Sequence, residues 1–506
     1  MRRIGAIVLA VLLIIPGLAA AEAPKAPDYI LEGYDGDSTG RVWETNLFFE
    51  RMEEQTGISF QFREYSSYSN WKSRKEEIAK GNDLPDILFK AELTPAETQK
   101  MYQAGVLIDL TPYLEEYAPD FWALLQEHPE WKEAITFRDQ KSGKDVIAAL
   151  PAFNSLQNND YMWINTKWLE LLGLETPTTA EELTEVLRAF KNRDPNTNGK
   201  NDEVPLTFIG MWELRFLGHA YGIIDNDYYV SVRNGQVVSA LDTEENRAFL
   251  TWLHTLWEEG LLDHKGFSIS DSMRTIIDTN KAIPYGMMMA VTPLSVIPSA
   301  SAPMYSILEP MTYDGKQVYR DLTGDVIRGT FAITSACKEP EKMVSWVNVL
   351  YTEEGSRTAQ YGREGEEIRI NSDGSWEWVD DLSTVAQVIL STHTIGTGAS
   401  APGIALEDFQ LHYGDSTTRR NIEMMESAKA FSMMPYPYVY MTETDAAEIA
   451  RIQKDLMDYA ELTMACFVTG DLELNDENWK TFCDTVHAKG LDDSIAIWQK
   501  YVTNGD

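Results

Sequence analysis

Cysteine is scarce in this chain: three in 506 residues, Cys337, Cys466 and Cys483. None sits at the spacing of a zinc or iron–sulfur site, which excludes a cysteine-built metal centre. Cys466 and Cys483 are the nearer two. In an exported protein they are the expected candidates for a bridge, leaving the third as a buried, inert thiol. Histidine is equally thin, seven residues with none paired at ligand spacing. Basic residues are outnumbered, 43 against 79 acidic ones, for a formal net charge of −36. That balance speaks against nucleic acid and against an anionic bilayer surface as partners. No serine elbow, phosphate loop, HExxH run or dinucleotide glycine pattern occurs, so those enzyme classes have no sequence support. Beyond the N-terminus no apolar run is long enough to span a bilayer.

What is present begins with that N-terminus. Arg2 and Arg3 precede an apolar core from Ile4 to Ile15, a Pro16-Gly17 break, and small residues through Ala23. This is the pattern of a secretory signal over residues 1–23, with no cysteine at the cleavage site, and the expectation is a soluble protein released into the periplasm or outside the cell. After it, strand and helix patterns alternate. Strands are expected at Asp28–Glu32, Ile58–Tyr65 and Asp86–Phe89, with helices at Trp43–Thr56 and Lys72–Lys80 between them. Such alternation argues for a parallel sheet flanked by helices, an α/β fold. Ligands of such sheets gather at the carboxyl ends of the strands, which points to Gly33–Trp43, Tyr65–Trp71 and Lys90–Leu93.

The stretch Tyr161–Thr207 carries the densest signals. A helix over Thr166–Leu172 stops at Gly173, and Thr178 or Thr179 caps a second one with Glu181 and Glu182 placed to reach back. That second helix ends in DPNTNGKNDE. Asp194, Asn196, Asn198 and Asp202 fall at positions 1, 3, 5 and 9 of a calcium loop, with Gly199 at its sharp turn. Lys200 would ligate through its carbonyl, and Glu203 must supply the late carboxylate because position 12 is Pro205. The plain alternative is an Asx-rich turn without metal. A structural Ca²⁺ is the expected cofactor.

WINTKWLELLGLETPTTAEELTEVLRAFKNRDPNTNGKNDEVPLT resembles the signature of the extracellular solute-binding proteins of family 1. It is most similar to the large lipoprotein-type branch that serves ABC importers of oligosaccharides. GNDLPDILF, GVLIDLTPYLEEYAP, FAITSACKEPEKMVSWVNVLYTEEGSRTAQYGREGEE and the C-terminal run from Met464 resemble further family segments, while Asp380–Pro437 matches poorly. The resemblance implies a periplasmic binding protein-like type II fold, two α/β lobes with an interlobe ligand cleft. The expected boundaries are 24–151 for lobe 1, 152–285 for lobe 2, a return to lobe 1 over 286–328, and lobe 2 again over 329–506. It also implies a carbohydrate ligand, ABC permease subunits as partners, and no catalysis; a monomer is expected.

Tryptophan and tyrosine are plentiful, 14 and 23 residues. Sugar rings pack their C–H faces on aromatic planes and offer hydroxyls to planar polar groups. The loop-placed residues expected at the ligand are Trp43, Tyr65, Trp71, Phe153, Asn154, Trp212, Glu213, Tyr285 and Arg328, with Tyr68 beside them. For any single aromatic, core packing is the competing reading. Two other functions stay open: an exported carbohydrate-active enzyme, and a receptor for peptides or another solute.

Overall fold

The computed structural model describes residues 27–36, 40–154, 160–276, 282–321, 324–379, 388–396, 401–412 and 416–502. The N-terminal segment 1–23 read as a signal lies outside them. The first sheet has six strands in the order β11-β4-β10-β3-β1-β2: β1 (Tyr29–Tyr34), β2 (Phe60–Tyr65), β3 (Ile87–Phe89), β4 (Leu150–Phe153), β10 (Val326–Ile333) and β11 (Gly403–Ile404). The second has four, in the order β8-β5-β7-β6: β5 (Tyr161–Asn165), β6 (Val204–Thr207), β7 (Tyr285–Ala290) and β8 (Tyr305–Ile307). Two further short strands, β9 (Tyr319–Arg320) and β12 (Ser432–Met433), pair in parallel.

Each sheet organises its own core. The first packs Trp43, Phe48, Phe49, Phe89, Phe121 and Trp346 in one cluster. The second gathers Trp163, Trp168, Phe190, Phe249 and Leu253 with residues of the long helix Glu443–Thr469. The local signals fold as their chemistry requires. Thr94 and Glu97 exchange the two hydrogen bonds of a capping box at the start of Pro95–Gln103. Thr179 caps Ala180–Asn192 by accepting from the Glu182 N–H, and Glu182 reaches back to the Thr178 N–H. Gly173 ends Thr166–Leu172 at φ 66°, the left-handed turn that glycine takes without a Cβ penalty. Among the described residues, no helix is long and apolar enough to cross a membrane.

Two expectations need correction. The return to the first lobe does not begin at residue 286. β7 pairs with β5 and β6 in the second sheet, and the chain rejoins the first sheet only at β10, beside β3 and β4. An apolar run such as Tyr285–Ala290 reads alike for either sheet; its partners, distant in sequence, decide. By the same pairing, Pro340–Asn348 belongs with the first lobe, where Met343, Val344 and Trp346 join that core, so 329–506 is not one block of the second lobe. The other correction concerns sulfur: Cys337, Cys466 and Cys483 are all free thiols. Cys466 and Cys483 stand on separate helices, Glu443–Thr469 and Asp476–Ala488, and are not bridged.

Candidate functional site

Register within each sheet shows which strand ends share an edge. Val326 pairs with Phe153 and Phe331 with Phe89, so the carboxyl ends of β1, β2 and β3 lie on the edge where β4 ends and β10 begins. In the second sheet Tyr161 pairs with Ala290 and Thr207 with Met288, so β6 and β7 end where β5 begins. The chain passes between these edges after Phe153 and after Arg320. After Met433 a third segment runs across the flank of the junction, with Tyr438 against the first-lobe core, before the helix Glu443–Thr469 packs in the second. These three crossings are stitched together. Asn154 donates its N–H to the Asp325 carbonyl at 2.8 Å, and Asp321 donates to the Met433 carbonyl at 2.9 Å. Val326 donates to the Tyr438 hydroxyl at 3.1 Å. Gly324 sits at φ 54° where a Cβ would lie 2.2 Å from that hydroxyl oxygen, so only glycine fits the crossing as built.

On the first-lobe edge, Tyr34 and Tyr68 meet edge to face at 5.7 Å, and Tyr68 is half exposed. Behind them is a dry charged knot. Both oxygens of Asp35 accept from the Arg41 guanidinium at 3.1 Å, while Lys90 Nζ stands 2.9 Å and Trp43 Nε1 2.9 Å from Oδ2. Burial pushes the Asp35 carboxyl up, but Lys90 and Arg41 outweigh it and hold the carboxyl below its ordinary range. Arg41 also donates to the Thr394 carbonyl at 2.7 Å and to Leu390 at 2.8 Å, and Lys90 to Ile395 at 3.1 Å. The knot thus ties 388–396, part of the stretch with poor family resemblance, to the ends of β1 and β3.

On the second-lobe edge, Trp212 stands in the first turn of Gly210–Leu214, just past β6, and is 45% exposed. It is the one tryptophan among the described residues that shows a large face to solvent. Its neighbour Glu213 turns inward, 1% exposed, and accepts from the Ile209 N–H at 2.7 Å and from Arg274 at 2.8 Å. Burial outweighs Arg274 and pushes the Glu213 carboxyl up to about 7. The Tyr285 hydroxyl donates to the Arg274 carbonyl at 3.0 Å, which keeps that ring inside.

The residues expected at the ligand therefore divide. Trp43 and Trp71 are fully buried: Trp43 packs among Phe49, Phe62 and Phe89, and Trp71 donates to the Ala91 carbonyl at 2.9 Å. Phe153 is stacked on Phe121 and Trp131. None of these three rings, nor Tyr285, offers a free face. Tyr65 packs on Trp71, and Glu213 serves Arg274. Arg328, on β10, braces the third crossing, donating to the Val439 carbonyl at 2.9 Å and lying over the rings of Tyr438 and Tyr440. Asn154 stands at the first crossing, and Trp212 is exposed just past the end of β6. Tyr34, expected in the loop after Glu32, is the last residue of β1, inside the stretch Gly33–Trp43 to which the strand ends pointed.

The Asx-rich loop is closed by its own bonds. Asp194 accepts from the N–H groups of Asn198 and Gly199 at 3.1 and 3.0 Å, Asn196 from Asn198 N–H at 3.0 Å, and Asn198 from Lys200 N–H at 2.8 Å. Asp202 accepts from the side chains of Asn196 and Asn198 at 3.1 and 2.8 Å, which hold its carboxyl below the ordinary range. Both carboxylate oxygens of Glu203 are shielded from solvent without a hydrogen-bond partner. Burial and the nearby Asp194 and Asp202 carboxylates push Glu203 up. Two orphaned acceptors beside two acids suit a hard cation. Among the described residues no three His, Cys, Asp or Glu side chains are gathered tightly enough to hold a metal alone. A cation there would draw on Asn196, Asn198 and backbone carbonyls as well.

No family model matches the chain. The fructooligosaccharide ABC transporter substrate-binding protein FusA of Streptococcus pneumoniae is 28% identical over 487 residues, spanning 90% of this chain and 86% of FusA. The structure of FusA in complex with kestose superposes with a TM-score of 0.73 at 25% identity, covering 93% of this chain and 98% of that one. An EF-hand mutant of FusA in complex with fructo-nystose gives 0.72 at the same identity, with 93% and 97% covered. An extracellular solute-binding protein from Bifidobacterium longum subsp. infantis shares the fold, with a TM-score of 0.80 at 21% identity and 94% and 98% covered.

Proposed function

We propose, from the premise that the chain belongs to the substrate-binding proteins of ABC transporters, that it captures an oligosaccharide between its lobes and delivers it unaltered to a permease. The observation that carries this reading is the pair of sheet edges, one presenting Tyr34 and Tyr68 and the other leading to Trp212, joined by stitched crossings. Flat apolar rings supply contact area to sugar faces, and backbone and planar side-chain groups at the same edges orient the hydroxyls. A solute touching both edges binds the closed arrangement more tightly than the open one. That difference in affinity is what shifts the lobes. The knot around Asp35 and the Glu213–Arg274 pair keep the rings in place without taking part in chemistry.

FusA, a relative over most of its length, is named for fructooligosaccharide and is solved with kestose, which makes a fructose-containing oligosaccharide the first ligand to try. The working state is a monomer outside the cytoplasmic membrane, exported by residues 1–23. The loop 194–203 holds a structural Ca²⁺ through side-chain oxygens of Asp194, Asn196, Asn198, Asp202 and Glu203 and the carbonyl of Lys200. That ion supplies cross-linking between loop ends and no reaction step.

The test is calorimetric titration of the mature protein with kestose, longer fructans, other oligosaccharides and peptides, with recovery of each ligand afterwards. Tight binding of one sugar, recovered intact, is the expected result. Binding confined to peptides defeats the sugar assignment, and cleavage of the sugar defeats the receptor assignment.

A further inference from the structure

Beside the third crossing, on the flank of the hinge, lies a cavity of about 420 Å³ that none of Tyr34, Tyr68 or Trp212 lines. The first lobe contributes Thr94 and Arg328, the second Tyr228 and Trp498, and the crossing itself Tyr436 and Tyr438. Four of these six are aromatic. Trp498 meets Tyr228 at 5.1 Å and Tyr436 at 4.6 Å, so the rings form a continuous wall. The size falls within the range of small-molecule sites.

Two features indicate what fits. First, the cavity's charges are already engaged. Asp227, on its rim, pairs with Arg320 at 3.3 Å, and Arg328 is held by the Val439 carbonyl and two tyrosine faces. An ionic ligand would find no waiting counter-charge, so a neutral one is favoured. Second, the wall is aromatic, and Tyr228 is 41% exposed at its edge. A neutral molecule with flat C–H faces matches both features, and a sugar unit is such a molecule.

We propose that this cavity is a second saccharide site, sized for one or two sugar units and bridging the lobes at the hinge rather than in the main cleft. The choice of a sugar rests on reading the chain as an oligosaccharide receptor. Because the occupant touches both lobes, it binds one lobe arrangement better than the other and so biases closure of the main cleft.

The experiment is calorimetric titration of the full chain with sucrose and with kestose, alongside Ala446→Trp, which fills the cavity from the helix Glu443–Thr469, and Tyr228→Ala, which removes an exposed part of its wall. The expected result is two binding phases. The weaker is abolished by Ala446→Trp and loosened about fivefold by Tyr228→Ala, the worth of one aromatic contact. The tighter phase survives in both. A single phase untouched by the variants overturns the second site and leaves the receptor reading standing. A single phase lost in the variants makes this cavity the only site and overturns its separateness. No binding of either sugar to any form overturns both readings.

Discussion

Glu203 is where the calcium reading can be tested hardest. Its two carboxylate oxygens are shielded from solvent with no donor, and burial with the neighbouring Asp194 and Asp202 pushes its carboxyl up. A bound cation converts that unfavourable cluster into a ligand set. Without the cation the loop must rest on the Asx bonds from Asp194, Asn196 and Asn198 and on the two side-chain bonds to Asp202. If free Ca²⁺ stands at about a hundred times its Kd, linkage stabilises the folded state by about 2.7 kcal/mol. For a lobe of roughly 150–250 residues that corresponds to a melting shift of about 5–10 °C. The assay is scanning calorimetry of the mature protein in excess EGTA and in millimolar Ca²⁺, repeated on Glu203→Gln. The wild-type transition should fall in EGTA and recover with Ca²⁺. Glu203→Gln removes the orphaned charge, so it should melt no lower than wild type in EGTA and should lose the Ca²⁺ response. Because the ligands must shed protons, the wild-type response should shrink as pH falls toward the carboxylate range. Identical melting of wild type with and without Ca²⁺ would refute the reasoning and leave an ordinary turn.

Three further outcomes follow from the same structure. Trp212→Ala should weaken oligosaccharide binding about tenfold by calorimetry while shifting the melting temperature by less than about 1 °C, since the ring is largely exposed and its stacking contributes about 1–1.5 kcal/mol; unchanged affinity removes Trp212 from the site. Glu213, raised to about 7 from an ordinary 4.5, holds a proton in the folded state that the unfolded chain has released between those values, so stability should decline as pH rises from about 4.5 to 7, by about 3 kcal/mol in all. Denaturant titrations of Glu213→Gln across that range should show a flatter profile than wild type, and a parallel one contradicts the assignment. Gly329→Ala places a Cβ 2.0 Å from the Leu93 carbonyl oxygen at φ 75°, so urea unfolding of the first lobe should move to markedly lower denaturant, and an unchanged midpoint would mean that β10 relaxes freely.

The local chemistry of the fold could be read from the chain with little loss. Caps at Thr94 and Thr179, the stop at Gly173 and the Asn234-Gly235 turn between Val230–Arg233 and Gln236–Ser239 all follow from residue types a few positions apart. What could not be read was non-local. Nothing within Tyr285–Ala290 states which sheet it joins: expected in the return to the first lobe, it pairs inside the second sheet, and the strand that rejoins the first sheet begins at Val326. The site suffered in the same way. Trp43 and Trp71 were expected on loops, but Trp43 opens the short turn Trp43–Thr45 and Trp71 lies within the helix Tyr68–Ala79. Their indole N–H groups reach Asp35 and the Ala91 carbonyl inside the lobe, and their rings are core. A tryptophan's place in the sequence does not report which way the ring turns. Trp212 is exposed because its neighbour Glu213 takes the inward place beside Arg274, a residue 61 positions away. Arg328 carries a charge that suits a ligand, but two tyrosines from a distant crossing had already claimed it.

Small-angle scattering of the mature protein with and without a saturating fructan, with the sugar recovered and its chain length checked, addresses the central claim most directly. The account predicts a smaller radius of gyration in the presence of the sugar and complete recovery of the sugar at its original length. An unchanged radius at saturation, or shortened sugar in the recovered fraction, would contradict it.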